Sequence, residues 1–396
     1  MLSDLTHLPV NWIDGMKIAR RHFEETGQYI AEQVRDVAAR GLSDLNFGIL
    51  PADRSLEVRI TTDANQLIRV EVLSCKGVTP NGTRLEVHPG LGVTLQASFP
   101  ELAARFGLQT SQAQQLFVVL QADLFNRAPE GDVPVQETPP RHPYTRETLT
   151  LDLVPAEYLV PAQLVSGLVV GKISFANGEL VVQKDFIPSC TAMTSIAQTR
   201  EWYERFRQAS ETWEQNCIRI IQKVNSRAQP QNSLTASIMR LSEKLLEHFA
   251  QGRLAYRWIL PSQPPVYTCE WMMSRVYYLF TLLQTYSEKD REEMLAYFAE
   301  WGELQGGTIE NQTLRALQVG YNHFDLLTVF QEVNQVYSLY GGIFQKLSQL
   351  EFIGKKKGQS VFVIEQPATQ QQAPPPPPPP QPEQQKTPPK RWSPLS

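Results

Sequence analysis

The periodicity of the apolar residues changes near residue 190 of this 396-residue chain. From about residue 42 to that point, short segments such as 56–60 and 67–72 alternate apolar and polar residues, which is typical of strands with one face on a core. After it, apolar residues recur every three or four positions, which is typical of helices. Because the strands precede the helices, the sequence predicts an α+β chain, with an antiparallel β-sandwich followed by a helical bundle.

Turn and loop signals divide the strand-rich half. Pro80-Asn81-Gly82 and Asn177-Gly178 are typical of tight hairpins. The proline-rich segment 128–143 predicts an exposed loop. A helix is predicted at 17–39, before the first strand. Its apolar residues lie on one helical face and are Phe23, Ile30, Val34 and Val37.

The two helices predicted after residue 190, at 199–226 and 232–252, carry the longest apolar stripes. Their apolar residues recur at alternating spacings of three and four, which is the pattern of a heptad seam. Such stripes are too extensive for a lone chain to cover, so we expect three copies to bury them as the neck of a homotrimer. The predicted seam residues are Trp202, Phe206, Trp213, Ile220, Val224, Leu234, Ile238, Leu241 and Leu245.

Three polar residues lie on these helical stripes: Asn216, His248 and Asn334. A polar residue on a heptad seam fixes the register and the number of copies in an oligomer. The same residues are equally explained as hydrogen-bonded groups inside one chain's own bundle. The sequence leaves both interpretations open.

The C-terminal part predicts further helices and a polar tail. Three helices are expected. The first is at 268–286, the second begins after a cap at Ser287, and the third is at 309–350 with a bend at Gly341-Gly342. A short strand at 360–364 precedes a Pro/Gln-rich tail, which is either a spacer or a docking ligand for an aromatic-lined groove. The predicted domains are a sandwich with its N-terminal helix at 1–190, a helical neck at 191–308, a C-terminal helical region at 309–365 and a disordered tail at 366–396.

Composition argues against several classes of protein. The net charge of −4 leaves no basic footprint, so we expect no nucleic-acid partner. The beginning of the chain lacks the pattern of a signal peptide, and no apolar run reaches the roughly twenty residues of a membrane-spanning helix. We therefore expect a cytoplasmic protein without direct membrane insertion. Paired metal or disulfide spacing is absent among the four cysteines, Cys75, Cys190, Cys217 and Cys269.

Catalytic patterns are also absent from the sequence. It contains no Walker motif, no glycine-rich dinucleotide loop, no nucleophile elbow and no His-Glu-x-x-His helix. The six histidines are scattered rather than spaced as metal ligands. We expect no enzymatic activity, no cofactor and no metal. An enzyme hidden in the sandwich would need a clustered pair of acids, which the sequence does not show.

The segment before the first helix combines Trp12, Gly15, Met16, His22 and Phe23 within a short span. Two aromatic side chains and a glycine hinge suit a plug that is held against a sheet or a neighbouring subunit. On physical grounds alone, Trp12 and Phe23 are better explained as anchors of the chain's own core.

The order and spacing of these residues resemble the N-terminal signature of the TssK family, the trimeric baseplate component of the bacterial type VI secretion system. Three further segments are similar to motifs of that family. Residues 45–49 look like its early aromatic-Gly strand, residues 80–82 like its Pro-Asp-Gly turn, and residues 186–190 like the segment that leaves its sandwich. Asn81 replaces the usual acid and Ser189 a common second proline.

The resemblance implies a sandwich shoulder similar to the shell domain of phage receptor-binding proteins, followed by a helical neck. It implies a structural role as a homotrimer that binds the wedge subunits TssF and TssG, and that faces the inner-membrane complex from the cytoplasm. After residue 310 the sequence departs from the compact head of the family, so the membrane-complex partner stays open. The alternative function is a phage-like tail adaptor or receptor-binding protein that recognises a cell-surface ligand.

Overall fold

The structure is a computed structural model that describes residues 4–109, 112–159, 164–226, 232–305 and 307–354. Its element order confirms the α+β prediction, because strands occupy the chain between 48 and 182 and helices follow from 197 to 349. Helix α1 (Arg20–Ala39) precedes the strands, and the short helix α2 (Phe99–Phe106) lies among them. Within the described ranges, no helix has the length and apolar character needed to cross a membrane.

The first sheet is built around one long strand, β3, which pairs antiparallel with every other strand of that sheet. Its first half pairs with β5 on one side and its second half with β4, while β2 and β1 follow one another along the opposite side. The five strands are β1 (Gly48–Ile49), β2 (Leu56–Thr62), β3 (Leu67–Val78), β4 (Arg84–Val87) and β5 (Val93–Ser98).

The second sheet has the antiparallel order β7-β6-β8-β9. The hairpin predicted at Asn177-Gly178 is confirmed, because both residues have positive φ, 52° and 83°, as a two-residue hairpin turn requires. The predicted loop at 128–143 is shorter, since β6 continues to Glu130. The four strands are β6 (Gln114–Glu130), β7 (Tyr144–Pro155), β8 (Gly167–Ala176) and β9 (Glu179–Val182).

One continuous apolar core joins the two sheets. Phe99, which opens α2 beside the first sheet, stacks on Phe175 of the second sheet with ring centroids 3.9 Å apart. Val70 and Val72 of β3 belong to the same buried cluster as Leu116 and other inward residues of β6. The alternation of buried and less buried residues along β3 reflects this shared interior, whereas β6 is buried on both faces, with Phe117 and Val119 in a second, smaller cluster.

Six helices complete the described fold, and polar side chains fix several of their first turns. Asn232 and Ser287 accept the backbone N–H of Thr235 and Asp290, at 2.7 Å and 3.2 Å, so the cap predicted at Ser287 is confirmed. The helices are α3 (Ala197–Asn225), α4 (Ser233–Trp258), α5 (Pro265–Gln284), α6 (Glu288–Gly302), α7 (Thr308–Gln318) and α8 (Leu326–Gln349).

The prediction of one long helix at 309–350, bent at Gly341-Gly342, is wrong. The chain breaks at 319–325, between α7 and α8, and both glycines lie inside α8 without interrupting it. Asp325 caps the new helix, because its carboxylate accepts the backbone N–H of Thr328. The strand expected at 360–364 and the tail at 366–396 lie outside the described residues.

An aromatic cluster from three helices forms the centre of the helical part. Trp213 of α3 is fully buried. Its indole meets Phe249 of α4 and Tyr337 of α8 edge to face, with ring centroids 5.5 Å and 4.9 Å away. It also contacts Tyr340 and Phe344, one and two turns further along α8. The stripe of α3 is therefore covered by helices of the same chain.

The predicted seam residues were expected to form an interface between three copies. Their burial within the single chain corrects that expectation. Trp202 contacts Phe330 of α8 with ring centroids 5.6 Å apart, and the other eight seam residues are at most 5% exposed in the single chain. The stripes are buried because α5, which follows α4, and α8, which lies far away in sequence, pack on α3 and α4. The eight are Phe206, Trp213, Ile220, Val224, Leu234, Ile238, Leu241 and Leu245.

The polar residues on the stripes also find partners within the chain. Asn216 accepts a hydrogen bond from the hydroxyl of Ser348 at 2.9 Å. His248 stacks on Tyr278 with ring centroids 4.5 Å apart, but its buried Nε2 has no hydrogen-bond partner among the described residues. The interpretation as a hydrogen-bonded group inside the chain's own bundle therefore holds for Asn216.

The segment between α7 and α8 joins the helices to the first sheet. The imidazole of His323 donates from Nε2 to the carbonyl of Phe47 at 2.7 Å, and its Nδ1 lies 2.9 Å from the hydroxyl of Tyr321. Nearby, Lys172 pairs with Asp325 at 2.7 Å. All described residues belong to one compact unit, so the domain boundaries at 190 and 308 stay sequence predictions.

We expect the free energy of unfolding to fall as the pH drops from about 6.5 to about 4, because of His323. Burial lowers the pKa of this imidazole to about 4, whereas the unfolded chain takes up the proton near 6.5. Between these values the unfolded state binds more protons, so acid favours unfolding by about 2–3 kcal/mol. Urea unfolding of the wild type and of His323→Gln, at neutral and mildly acidic pH, measures the difference.

The matched control for this prediction is the exposed histidine His142. His142→Gln should retain the acid sensitivity of the wild type, whereas His323→Gln should lose that part of it. Equal pH dependence in all three proteins would contradict a buried, neutral His323.

Candidate functional site

Helix α1 packs on the rest of the chain with a polar face and exposes its apolar one. Its buried residues are His22, Glu32, Arg35 and Ala39. The four apolar residues that the sequence places on one face are between 54% and 68% exposed, which is unusual for apolar side chains that share a helical face. We call these the α1 stripe: Phe23, Ile30, Val34 and Val37.

A buried carboxylate explains why the polar face is turned inward. Glu32 accepts the backbone N–H groups of Thr6 and His7, at 3.1 Å and 2.8 Å, and the hydroxyl of Thr6 at 3.0 Å. Arg35 donates to it from the next turn at 3.3 Å. Burial by itself raises the pKa of Glu32, but these hydrogen bonds and the Arg35 charge lower it on balance, so the carboxylate stays ionised.

The Pro80-Asn81-Gly82 turn fixes the position of the same helix. Gly82 has a φ of +89°, and a side chain there would collide with the backbone of α1 at Arg35 and Ala39. On the other side, the Arg35 guanidinium lies 5.9 Å from the centre of the Phe125 ring. The turn that resembles a TssK motif therefore packs directly against the backbone of α1.

The segment before α1 extends the exposed apolar surface. Trp12 lies edge-on to His22, with ring centroids 5.8 Å apart, and 6.4 Å from the ring of Phe23. Gly15 makes the turn between them with a φ of +77°, and Met16 donates its N–H to Ile13. Trp12 is 50% exposed and Phe23 64%, so the interpretation of these two residues as core anchors is wrong.

His22 has a structural position at the start of the helix. Its Nδ1 accepts the backbone N–H of Ala19 at 3.2 Å, and the side chain is 5% exposed. Of the residues that the sequence singled out, the structure brings Trp12, His22 and Phe23 into contact. Sequence reasoning missed Glu32 and Arg35, whose only local signal is an opposite-charge pair three residues apart on the face away from the stripe.

The α1 stripe has the spacing of a coiled-coil seam. Phe23, Ile30 and Val37 are seven residues apart, and Val34 lies four after Ile30 and three before Val37. Gly27 occupies the equivalent position one heptad before Val34 and leaves room for a close approach. The exposed face can therefore accept knobs-into-holes packing from another helix, whereas the buried polar face cannot.

Replacing Glu32 with glutamine should loosen residues 4–16. Glutamine replaces one of the two acceptor oxygens with an NH2 donor that faces the donors of Thr6 and His7, so part of the buried hydrogen bonding is lost at a cost of about 1–3 kcal/mol. Hydrogen exchange of the amides in this segment should accelerate about tenfold or more. Glu25→Gln is the control, because Glu25 is exposed on the same helix. Equal exchange in both variants would show that Glu32 does not hold the segment.

The described residues offer little for catalysis. They contain no group of three His, Cys, Asp or Glu side chains placed to hold a metal ion. The four cysteines are buried and unpaired, and burial raises the pKa of the Cys75 thiol to about 12, so it is not a nucleophile at neutral pH. The features that stand out are the α1 stripe and a groove between α3 and α4.

No family model matches this chain, and no curated protein matches it either. Several solved structures do. A crystal structure of TssK has 13% sequence identity and a TM-score of 0.50, and the match covers 85% of this chain and 72% of that one. TssK from the type VI secretion system of EAEC, in complex with a nanobody, has 16% identity, covers 82% and 100%, and has a TM-score of 0.48.

A third similar structure is the baseplate complex from the type VI secretion system, with 13% identity, coverage of 86% and 100%, and a TM-score of 0.49. At such identities a likeness concerns the fold. The TM-score of 0.50 over 85% of the chain shows that this chain shares the fold of TssK. The resemblance inferred from the sequence motifs is thereby confirmed at the level of fold.

Proposed function

We propose that this chain, having the fold of TssK, is a structural subunit of a type VI secretion baseplate. The observation that carries the proposal is the likeness of fold to TssK over 85% of the chain. The motif residues support it, because Trp12 contacts both the buried His22 and the exposed Phe23, which belongs to the α1 stripe. In this proposal the two sheets form a sandwich shoulder, and helices α3 to α8 form the neck and the C-terminal region.

The subunit is a homotrimer that associates through α1. An exposed apolar stripe with heptad spacing needs a partner helix. In a trimer, the three α1 helices pack their stripes against one another. Ala31 and Ala38 flank the seam and keep the helices close. This interface replaces the neck seam expected from the sequence, whose residues are occupied within each chain.

The partners beyond the trimer are the wedge subunits and the membrane complex. In the TssK–TssF–TssG baseplate subcomplex, a TssK chain is assembled with TssF and TssG. By analogy, the shoulders of this protein bind TssF-like and TssG-like subunits, and its C-terminal part faces the inner-membrane complex from the cytoplasm. Three copies present each contact three times, so avidity holds the assembly without one strong contact. The role requires no enzymatic activity.

Co-expression with the TssF and TssG proteins of the same bacterium tests the proposal. Affinity purification of this chain should recover both wedge subunits. The three proteins should then elute from size-exclusion chromatography as one complex. The control is the same purification with the unrelated tail subunits of a phage. Absence of TssF and TssG from the purified complex, or equal recovery of the phage subunits, would contradict a baseplate role.

A further inference from the structure

A groove of about 750 Å³ runs between α3 and α4, with aromatic side chains along its base. Tyr203 and Tyr256 stack with ring centroids 4.6 Å apart, and each hydroxyl donates to the other's backbone carbonyl, at 2.6 Å and 2.7 Å. Trp271 of α5 donates its indole N–H to the carbonyl of Gly252 at 3.1 Å. Because these polar atoms have partners, the rings are held in place and offer apolar surface to a ligand.

The rim of this groove carries more positive than negative charge. Four arginines and three glutamates line it. Arg207 pairs with Glu204 and Glu211 at 2.8 Å and 2.9 Å, and Arg253 pairs with Glu214 at 3.1 Å.

The two remaining rim arginines, Arg200 and Arg257, are exposed and have no carboxylate within ion-pair distance among the described residues. Both stand at the same end of the helical pair, Arg200 in the first turn of α3 and Arg257 in the last turn of α4, because Tyr203 and Tyr256 bond to each other there. The free positive charge of the groove is therefore concentrated at that end.

A further positive charge lies behind the aromatic base. Arg275 is 2% exposed, and its guanidinium lies against the Trp271 indole and 5.4 Å from the centre of the Phe249 ring. It donates to the Trp271 carbonyl and to Ser274, while its Nε has no hydrogen-bond partner in the described part of the chain.

Burial lowers the pKa of Arg275 to about 10, so the guanidinium remains charged at neutral pH. The carboxylates of Glu270 and Glu214 attract it, but neither forms an ion pair with it among the described residues. A buried charge without a paired counter-ion is costly. An anion in the groove would compensate this charge across the aromatic base.

We propose that the groove between α3 and α4 binds an acidic peptide segment of a partner protein, with aromatic or leucine side chains on its base and carboxylates at Arg200 and Arg257. Charge complementarity favours this occupant over the chain's own proline-rich tail. Residues 355–396 contain six Lys or Arg and two Glu, so the tail is basic and the arginine-rich rim repels it.

Fluorescence anisotropy with synthetic peptides tests this assignment on the full chain. The probe is a fluorescein-labelled peptide in which Asp and Glu alternate with Phe and Leu. We expect saturable binding that weakens with added salt, because exposed charges are screened. Two comparison peptides, one with Lys in place of the acids and one with Gly and Ser in place of Phe and Leu, should bind at least about tenfold more weakly.

Charge reversal locates the site. Arg200→Glu and Arg257→Glu should each weaken the probe about tenfold, since each removes an attraction and adds a repulsion. Arg219→Glu is the matched control, because Arg219 is exposed on the same helix α3 outside the groove, and it should leave binding unchanged.

Three outcomes would overturn the assignment. They are no binding of the acidic probe, an equal effect of Arg219→Glu and the groove variants, or tighter binding of a peptide with the sequence of residues 367–396. The last outcome would identify the tail as the occupant instead. None of these results depends on whether the chain forms a trimer.

Discussion

Replacing Trp213 with alanine lowers the free energy of unfolding by about 3–5 kcal/mol, the largest stability effect that we expect from one substitution. The indole is fully buried and contacts Phe249, Tyr337 and Phe344 on two other helices. Its removal leaves a cavity that aromatic neighbours, already packed edge to face, cannot fill. Urea-induced unfolding followed by circular dichroism measures the loss.

The matched control is Trp258→Ala. Trp258 is the last residue of α4 and is 68% exposed, so its truncation should cost at most about 0.5 kcal/mol. A loss below about 1 kcal/mol for Trp213→Ala would mean that the core of the helices is not sealed in one chain as the structure shows.

Replacing Ile30 and Val34 together with aspartate should dissociate the proposed trimer into monomers. In a three-helix seam each aspartate would be buried beside its symmetry mates, and burial of an unpaired carboxylate costs several kcal/mol. In the single chain both positions are solvent-exposed, at 54% and 64%, so the fold should be retained. Light scattering coupled to size exclusion measures the mass, and circular dichroism the fold.

Leu254→Asp controls for the introduction of aspartate on an exposed apolar helix position. Leu254 lies on α4 and is 56% exposed, which matches Ile30 closely. This variant should stay trimeric. If the Ile30 and Val34 double variant also stays trimeric, the α1 stripe is not the trimer interface.

Local signals in the sequence predicted much of the fold because they act within a few residues. Asn177-Gly178 determines a hairpin through its own backbone preference, and Ser287 caps a helix through a bond to a residue three positions later. The antiparallel strands follow from a period of two, which one buried face imposes. These features were predicted correctly because no distant residue decides them.

Long-range packing decided what the sequence could not predict. The stripe of α3 looks unpartnered until α8, more than a hundred residues later, brings Tyr337 and Phe344 against Trp213. The break before α8 depends on residues such as His323, which bonds to the first sheet at Phe47.

The candidate site shows the same division. The spacing of the α1 stripe was visible in the sequence. Which side of the helix faces the chain depends on Glu32 binding Thr6, twenty-six residues away, and on Gly82 receiving the helix backbone. Neither contact has a local signature, so the sequence predicted the apolar face of α1 without predicting that it is exposed.

The mass of the wild-type protein in solution tests the central claim most directly. The account predicts three times 44.9 kDa by multi-angle light scattering at micromolar concentration. A mass of 44.9 kDa at every concentration would contradict assembly through α1 and leave its exposed apolar face unexplained.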